Sequence, residues 1–375
     1  MKIANTALGI LASRFLRRPF YARVHVTYRC NYRCRMCGIE GIRNEFPELP
    51  AASFQRIAAQ LRAVGARHVV ITGGEPFLRP DLADIVEAFA RLRFSVRIQT
   101  NGGPQVTRDR IAAVARAGAG DLSVSVDTLD GKTQDWITGG RGSLAHALRA
   151  LEWAVELMPD GMSLANIVAS PHNFAQLPGL VRSLGDRGFY TYITPAVVVT
   201  DGPGEHLFRG KDASFLFAGL DSTLRDAVID ELIALRREGS GLTNSTRHLE
   251  DVRQFIMTGR SGWRCHSGVF ALDVRPDGSV SACKEKPPIA NALSPEFVAV
   301  YRSREFRRQA DLQNDACSGC LYGAYREPYY AIRDISVLRE WTVDWLRTFR
   351  RGMNWRHSPG TPSENRTPVR VPPST

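Results

Sequence analysis

An α/β fold is predicted for this chain of 375 residues by three features of its sequence. From Tyr21 to about Val198, short β-branched segments alternate with amphipathic helical ones. The loops between them carry the Cys, Gly and Asn clusters, and a cysteine-bearing segment with a Pro-Asp-Gly turn follows. Strands that alternate with helices of this length are parallel and are joined by right-handed crossovers.

Taken in order, the strand patterns are Ala22–Thr27, His68–Thr72, Ser95–Thr100, Leu122–Val126, Ser163–Val168 and Tyr190–Pro195. Apolar residues at period 3.6 place helices at Ala52–Val64, Asp81–Leu92, Arg108–Ala117, Leu144–Leu157 and Phe174–Arg187. Residues 199–262 read as a helical linker, with helices at Ser222–Arg237 and His248–Met257. Residues 263–330 form a small α+β unit, in which Asp273–Val280 is a strand, a Pro-Asp-Gly turn and a returning strand.

Both ends are basic and amphipathic. Residues 1–20 carry Ala4, Leu8, Leu11 and Phe15 on one face, with Arg14, Arg17 and Arg18 near the end. Residues 331–357 carry Ile335, Leu338, Trp341, Trp345, Leu346 and Phe349 among arginines. Such stripes either cap the barrel or lie on a membrane interface. Residues 358–375 are rich in Pro, Ser, Thr and Arg, the composition of a disordered tail.

Composition narrows the function classes. No apolar run approaches the roughly 18 residues of a spanning helix. The apolar stretch Ile3–Ala12 is broken by Asn5 and Thr6 and lacks a small-residue cleavage site, so export is not expected. Seven cysteines, grouped as three and four, then point to metal in a reducing cytoplasm rather than to disulfides. The net charge of +11 suits an anionic partner or a solvated arginine-rich surface. No nucleic-acid-binding motif accompanies it, and a nucleic-acid partner is not expected.

The first group is Cys30-Asn31-Tyr32-Arg33-Cys34-Arg35-Met36-Cys37, in the loop after the first strand. Three thiolates at this spacing can hold three irons of a cubane and leave the fourth without a protein ligand, whereas a zinc knuckle is the other use of such a triplet. Further loops on the same face hold Thr72-Gly73-Gly74-Glu75-Pro76, Thr100-Asn101-Gly102 and Ser125-Val126-Asp127. Alternation along a strand puts Ser125 and Asp127 on one side and Val126 on the other. Asn166 lies on the fifth strand.

This ordered series, over residues 21–198, resembles the radical S-adenosylmethionine (SAM) enzymes. The resemblance implies a partial (β/α)6 TIM barrel, with a [4Fe-4S] cluster on Cys30, Cys34 and Cys37 as the catalytic centre. It implies SAM contacts from Gly73, Gly74, Glu75, Thr100, Ser125, Asp127 and Asn166. In that family the open iron chelates SAM, and reductive cleavage gives a 5'-deoxyadenosyl radical that abstracts hydrogen from substrate.

The second group is Cys265-x17-Cys283-x33-Cys317-x2-Cys320, where a hairpin brings the first two together and a knuckle supplies the others. It resembles the twitch domain, a shortened SPASM domain. The resemblance implies a second, auxiliary [4Fe-4S] cluster on Cys265, Cys283, Cys317 and Cys320, although zinc on the same thiolates fits a hairpin and knuckle too.

The expectation is therefore a radical SAM oxidoreductase acting on a small biosynthetic substrate such as a sugar or cyclitol, with the auxiliary cluster accepting an electron. An external donor such as a flavodoxin or ferredoxin would reduce it. A ribosomal-peptide substrate, a peripheral membrane enzyme of lipid biosynthesis and a non-catalytic metal-binding module are the alternatives.

Overall fold

A computed structural model describes residues 18–198, 208–317 and 319–343. Six strands in chain order form a parallel sheet: β1 (Tyr21–His25), β2 (His68–Thr72), β3 (Ser95–Thr100), β4 (Ala119–Ser125), β5 (Ser163–Ala169) and β6 (Tyr190–Pro195). Helices α1 (Ala51–Val64), α2 (Leu82–Ala90), α3 (Arg108–Arg116), α4 (Gly131–Thr138), α5 (Ser143–Leu157) and α6 (Leu177–Asp186) fill the crossovers. This is the βα series expected, with strand bounds for β2, β3 and β6 as read from the sequence.

Alternation decides which side of each strand meets the helices. Ala22 and Val24 of β1, Val69 and Ile71 of β2, and Leu122 and Val124 of β4 are 7% exposed or less and join one core with Phe54, Leu61, Phe89 and Leu151. The opposite faces of the same strands bear Arg23, His25, Thr72, Ser123 and Ser125. An apolar outer layer therefore encloses a polar inner one, which is the arrangement a ligand-binding barrel needs.

Two elements depart from the expectation. Helix α4 was not anticipated between β4 and α5. Asp130 caps it by accepting from Thr133 N at 2.9 Å, and Gly139 ends it with φ 65°. The second is β7 (Ala271–Val274), which does not stand apart in a separate unit but pairs in parallel with β1. With β8 (Ser279–Ser281) and β9 (Ala290–Asn291), both antiparallel, it extends one sheet in the order β6-β5-β4-β3-β2-β1-β7-β8-β9.

The free edge of β6 is covered by the linker. Asn244 accepts from Ile193 N and donates to Ile193 O, both at 2.8 Å, imitating a neighbouring strand. Helices α7 (Ser222–Glu238) and α8 (Thr246–Thr258) flank that contact, close to the bounds expected for them. Helices α9 (Phe297–Arg302), α10 (Arg304–Asp315) and α11 (Gly323–Arg333) follow β9.

The expected C-terminal helix is divided, because Asp334 is extended between α11 and a helical segment over 335–343. Trp341 of that segment packs against Phe20 and the Tyr330–Val337 cluster. Residues 1–17 and 344–375, which include most of the expected N-terminal helix and the whole expected tail, lie outside the described residues. Among the described residues no helix is long and apolar enough to cross a membrane.

Candidate functional site

The Cys30–Cys37 loop leaves the C-terminal end of β1 and is clamped from three sides. From β2, Gly74 N donates to Thr27 O and Glu75 N to Arg29 O, each at 2.8 Å. A Cβ on Gly73 would lie 2.1 Å from Thr27 O and one on Gly74 2.2 Å from Arg29 O, so only glycine admits this approach. From α4, Ile137 O and Thr138 O accept from Arg35 N and Arg33 N at 3.0 Å. On the third side, Gly210 N donates to Met36 O at 3.0 Å and Gly38 N to Phe208 O at 3.1 Å.

All three cysteines are half-buried as residues. Burial pushes the Cys30 thiol up to about 11, and both Cys34 and Cys37 are raised, Cys34 by burial and then by its two neighbours. Three closely spaced cysteine sulfurs on one loop are the donor set of a soft metal group. Asn101 steadies the loop, its Nδ2 lying 3.7 Å from Cys30 Sγ and donating to Asn31 Oδ1 at 2.9 Å.

Glu75 is fully buried and joins the second and third strand loops. Its Oε1 accepts from Thr100 Oγ1 at 2.8 Å and Phe77 N at 2.9 Å, and its Oε2 accepts from Asn101 N at 2.8 Å. Thr100 in turn accepts from Gly102 N at 3.1 Å. Burial nevertheless lifts Glu75 to about 7, because hydrogen bonds alone do not replace a counter-charge. Asp127 is in the same position: burial raises it to about 7, with Val168 N as a donor at 2.8 Å. A cationic group on a ligand would supply the counter-charge that each of these carboxyls lacks. Ser125 is level with Asn166 across β4 and β5, and Asn166 Nδ2 donates to Ser123 Oγ.

The second thiol set comes from three places. Cys283 follows β8, Cys265 precedes β7, and Cys317 and Cys320 lie in the turn before α11. Cys283 and Cys320 are buried at 9% and 7% exposure. Burial pushes Cys320 up to about 12, with a further rise from the charges of Cys265 and Cys317. Burial and then Asp273, Cys320, Glu285 and Cys265 raise Cys283 well above the usual range. Among the described residues no three His, Cys, Asp or Glu side chains are gathered around a point that would hold a single ion. The four thiols sense one another, and their all-sulfur chemistry fits an iron–sulfur cluster.

Several residues of this region were not singled out from the sequence. Asp273 is buried between strands, with His25 Nε2 at 3.3 Å, Arg23 at 3.9 Å and Tyr325 OH donating to it. Gly139 and Gly140 let α4 meet the cysteine loop, and a Cβ on Gly140 would lie 2.4 Å from the Tyr32 ring. Glycine pairs and a buried Asp are too common to stand out without the fold. Beyond the last cysteine Tyr325, Arg326 and Glu327 are buried: Arg326 pairs with Asp251, and Glu327 accepts from Ser245 N at 2.9 Å.

Residues 24–184 match the Radical SAM superfamily, so this segment is a radical SAM domain. A protein of Methanopyrus kandleri named "Probable GTP 3',8-cyclase" is 37% identical over 166 residues, which is 44% of this chain and 52% of that protein. The GTP 3',8-cyclase of Synechococcus elongatus is 32% identical over 182 residues, 48% of this chain and 55% of that protein. The chain thus matches about half the length of these relatives.

Among solved structures, SuiB of Streptococcus suis bound to its precursor peptide SuiA aligns with a TM-score of 0.63, at 17% identity, over 83% of this chain and 71% of that one. The structure of anSMEcpe with bound AdoMet and a peptide aligns at 0.58, 12% identity, over 90% and 99%. These share the fold. The expected sugar or cyclitol substrate is overturned, since the curated relatives are named for GTP.

Proposed function

With a radical SAM domain at residues 24–184 as its premise, we propose that this protein is an enzyme that cleaves SAM reductively and abstracts hydrogen from a substrate at the barrel mouth. The observation that carries the reading is the site itself. One loop holds Cys30, Cys34 and Cys37 beside two buried carboxyls, Glu75 and Asp127, that lack counter-charges.

Cys30, Cys34 and Cys37 would hold a [4Fe-4S] cluster, and Cys265, Cys283, Cys317 and Cys320 a second one. The first supplies, when reduced, the electron that splits the SAM sulfonium and so generates the hydrogen-abstracting species. Glu75 meets the SAM ammonium, which restores the charge that burial denies it. Asp127, buried and accepting from Val168 N, offers its remaining carboxylate capacity to a hydroxyl or to the sulfonium side. Gly73 and Gly74 keep backbone against the cysteine loop, and Thr100, Ser125 and Asn166 line the neighbouring strand ends. The apolar cluster of Met36, Ile137, Ala196, Val198 and Phe215 excludes water from one wall.

For the substrate we propose a purine nucleoside triphosphate, the class named for the relatives. The guanidinium groups of Arg33 and Arg35 in the cysteine loop, exposed although paired with Glu40 and Asp212, suit its phosphates. An external low-potential donor such as a flavodoxin or ferredoxin completes the cycle.

The test is anaerobic reconstitution followed by assay of 5'-deoxyadenosine with dithionite, with and without GTP or ATP. Formation of 5'-deoxyadenosine, with a rise on adding a nucleotide, is expected. Full iron loading without SAM cleavage overturns the reaction, and cleavage indifferent to every nucleotide, with no nucleotide product, overturns the substrate.

A further inference from the structure

The two thiol sets are joined by one short segment, Phe208–Arg209–Gly210. On one side its backbone pairs antiparallel with Cys37, through Gly38 N to Phe208 O at 3.1 Å and Gly210 N to Met36 O at 3.0 Å. Gly210 is required there, because a Cβ would lie 2.5 Å from the Met36 carbonyl carbon and 2.7 Å from Arg35 O. On the other side, the Arg209 guanidinium donates to Gly319 O at 3.2 Å, inside the Cys317–Cys320 turn, and is 5% exposed. Phe208 N donates to Glu285 Oε2 at 2.9 Å, two residues after Cys283. The Phe208 ring packs with Tyr28, Cys30 and Cys37.

Charge follows the same geometry. Arg209 brings a buried guanidinium to the turn that carries Cys317 and Cys320. A buried guanidinium beside a thiolate-ligated group stabilises whichever oxidation state is more negative, and a hydrogen bond into the ligand turn fixes where that group sits.

We propose that Arg209 is a positioning residue that couples the two thiolate sets: its backbone orders the Cys37 end of the first loop, while its side chain orders and partly neutralises the second. This rests on the second set holding an iron–sulfur cluster, as proposed above. A reduced cluster on four thiolates is more anionic than the oxidised one, so the guanidinium raises its midpoint potential.

The experiment uses full-length protein reconstituted anaerobically, with iron counted and the second cluster read by redox-poised EPR in a Cys30/Cys34/Cys37→Ala background. Arg209→Gln is expected to move the second cluster's midpoint to a more negative potential, and Arg209→Lys, which keeps the charge, to move it less. Gly210→Ala, made in the otherwise intact protein, is expected to alter the EPR signals of both clusters. An unchanged midpoint in Arg209→Gln, or a Gly210→Ala protein with only the first signal altered, overturns the proposal and leaves the second cluster standing. About four irons per chain in the intact protein, rather than about eight, overturns the second cluster and the proposal together.

Discussion

The first thiol set is built by one loop and the second by three distant segments. Cys30, Cys34 and Cys37 follow one strand end, are half-buried as residues, and owe their placement to backbone bonds from Gly74, Ile137, Thr138 and Gly210. Cys265, Cys283, Cys317 and Cys320 come from segments before β7, after β8 and before α11, with β7 paired to β1, and two of them are buried. Three sulfurs at a barrel mouth would leave one iron of a cubane open to a ligand, whereas four would close it and suit electron transfer. The difference teaches that a contiguous loop brings three sulfurs to one strand end, and that a fourth ligand needs segments far apart in the chain.

The widest test of that contrast pairs two substitutions. Cys34→Ala is expected to reduce 5'-deoxyadenosine formation to background, because it removes a ligand from the open set. Cys283→Ala is expected to lose roughly four irons per chain yet retain most of its SAM cleavage. Equal losses of cleavage in both variants would show that the sets do not divide the work.

A smaller effect concerns Glu75. Its folded value of about 7 stands above the ordinary 4.5, so the protonated form favours folding. The stability it contributes is present below about pH 4.5 and is lost as the pH rises through about 7. Without ligand, Glu75→Gln should therefore melt higher than the parent at pH 8 and nearly alike at pH 4.5, by calorimetry. SAM should bind the parent more tightly as pH rises from 6 to 8, and titration calorimetry should find that gain reduced in Glu75→Gln. A gain of equal size in both proteins would remove Glu75 from the ammonium contact.

The smallest effect probes the clamp rather than the chemistry. Gly140→Ala places a Cβ 2.4 Å from the buried Tyr32 ring, and overpacking of this kind costs about 1–3 kcal/mol. Urea unfolding should register that loss with SAM cleavage falling less than in Cys34→Ala. No change in stability would mean that the α4 contact yields freely.

Much of the barrel was legible because each βα unit is local. Val96, Ile98 and Thr100 of β3 alternate with Ser95, Arg97 and Gln99 within six residues, and that pattern is complete before any distant contact forms. Helix α4 was hidden for a physical reason. Gly131–Thr138 has a weak apolar stripe, and its caps, Asp130 and Gly139, also read as a loop. The parallel pairing of β7 with β1 was hidden because the Pro-Asp-Gly turn signals only the hairpin partner, not the sheet to which the hairpin is added.

What the sequence determined by itself is the order of six strands and the contiguous Cys30–Cys37, Gly73–Glu75 and Thr100–Gly102 loops at their ends, since local periodicity and short spacing are properties of the chain alone. Only the tertiary structure decided that Glu75 would bind Thr100 and Asn101, that the Phe208–Gly210 segment would lie between two thiol sets, and that Asp273 would be buried against His25. Those contacts join residues from 25 to 248 positions apart, and a chain reaches them only when burial of the shared core has already brought the strands together.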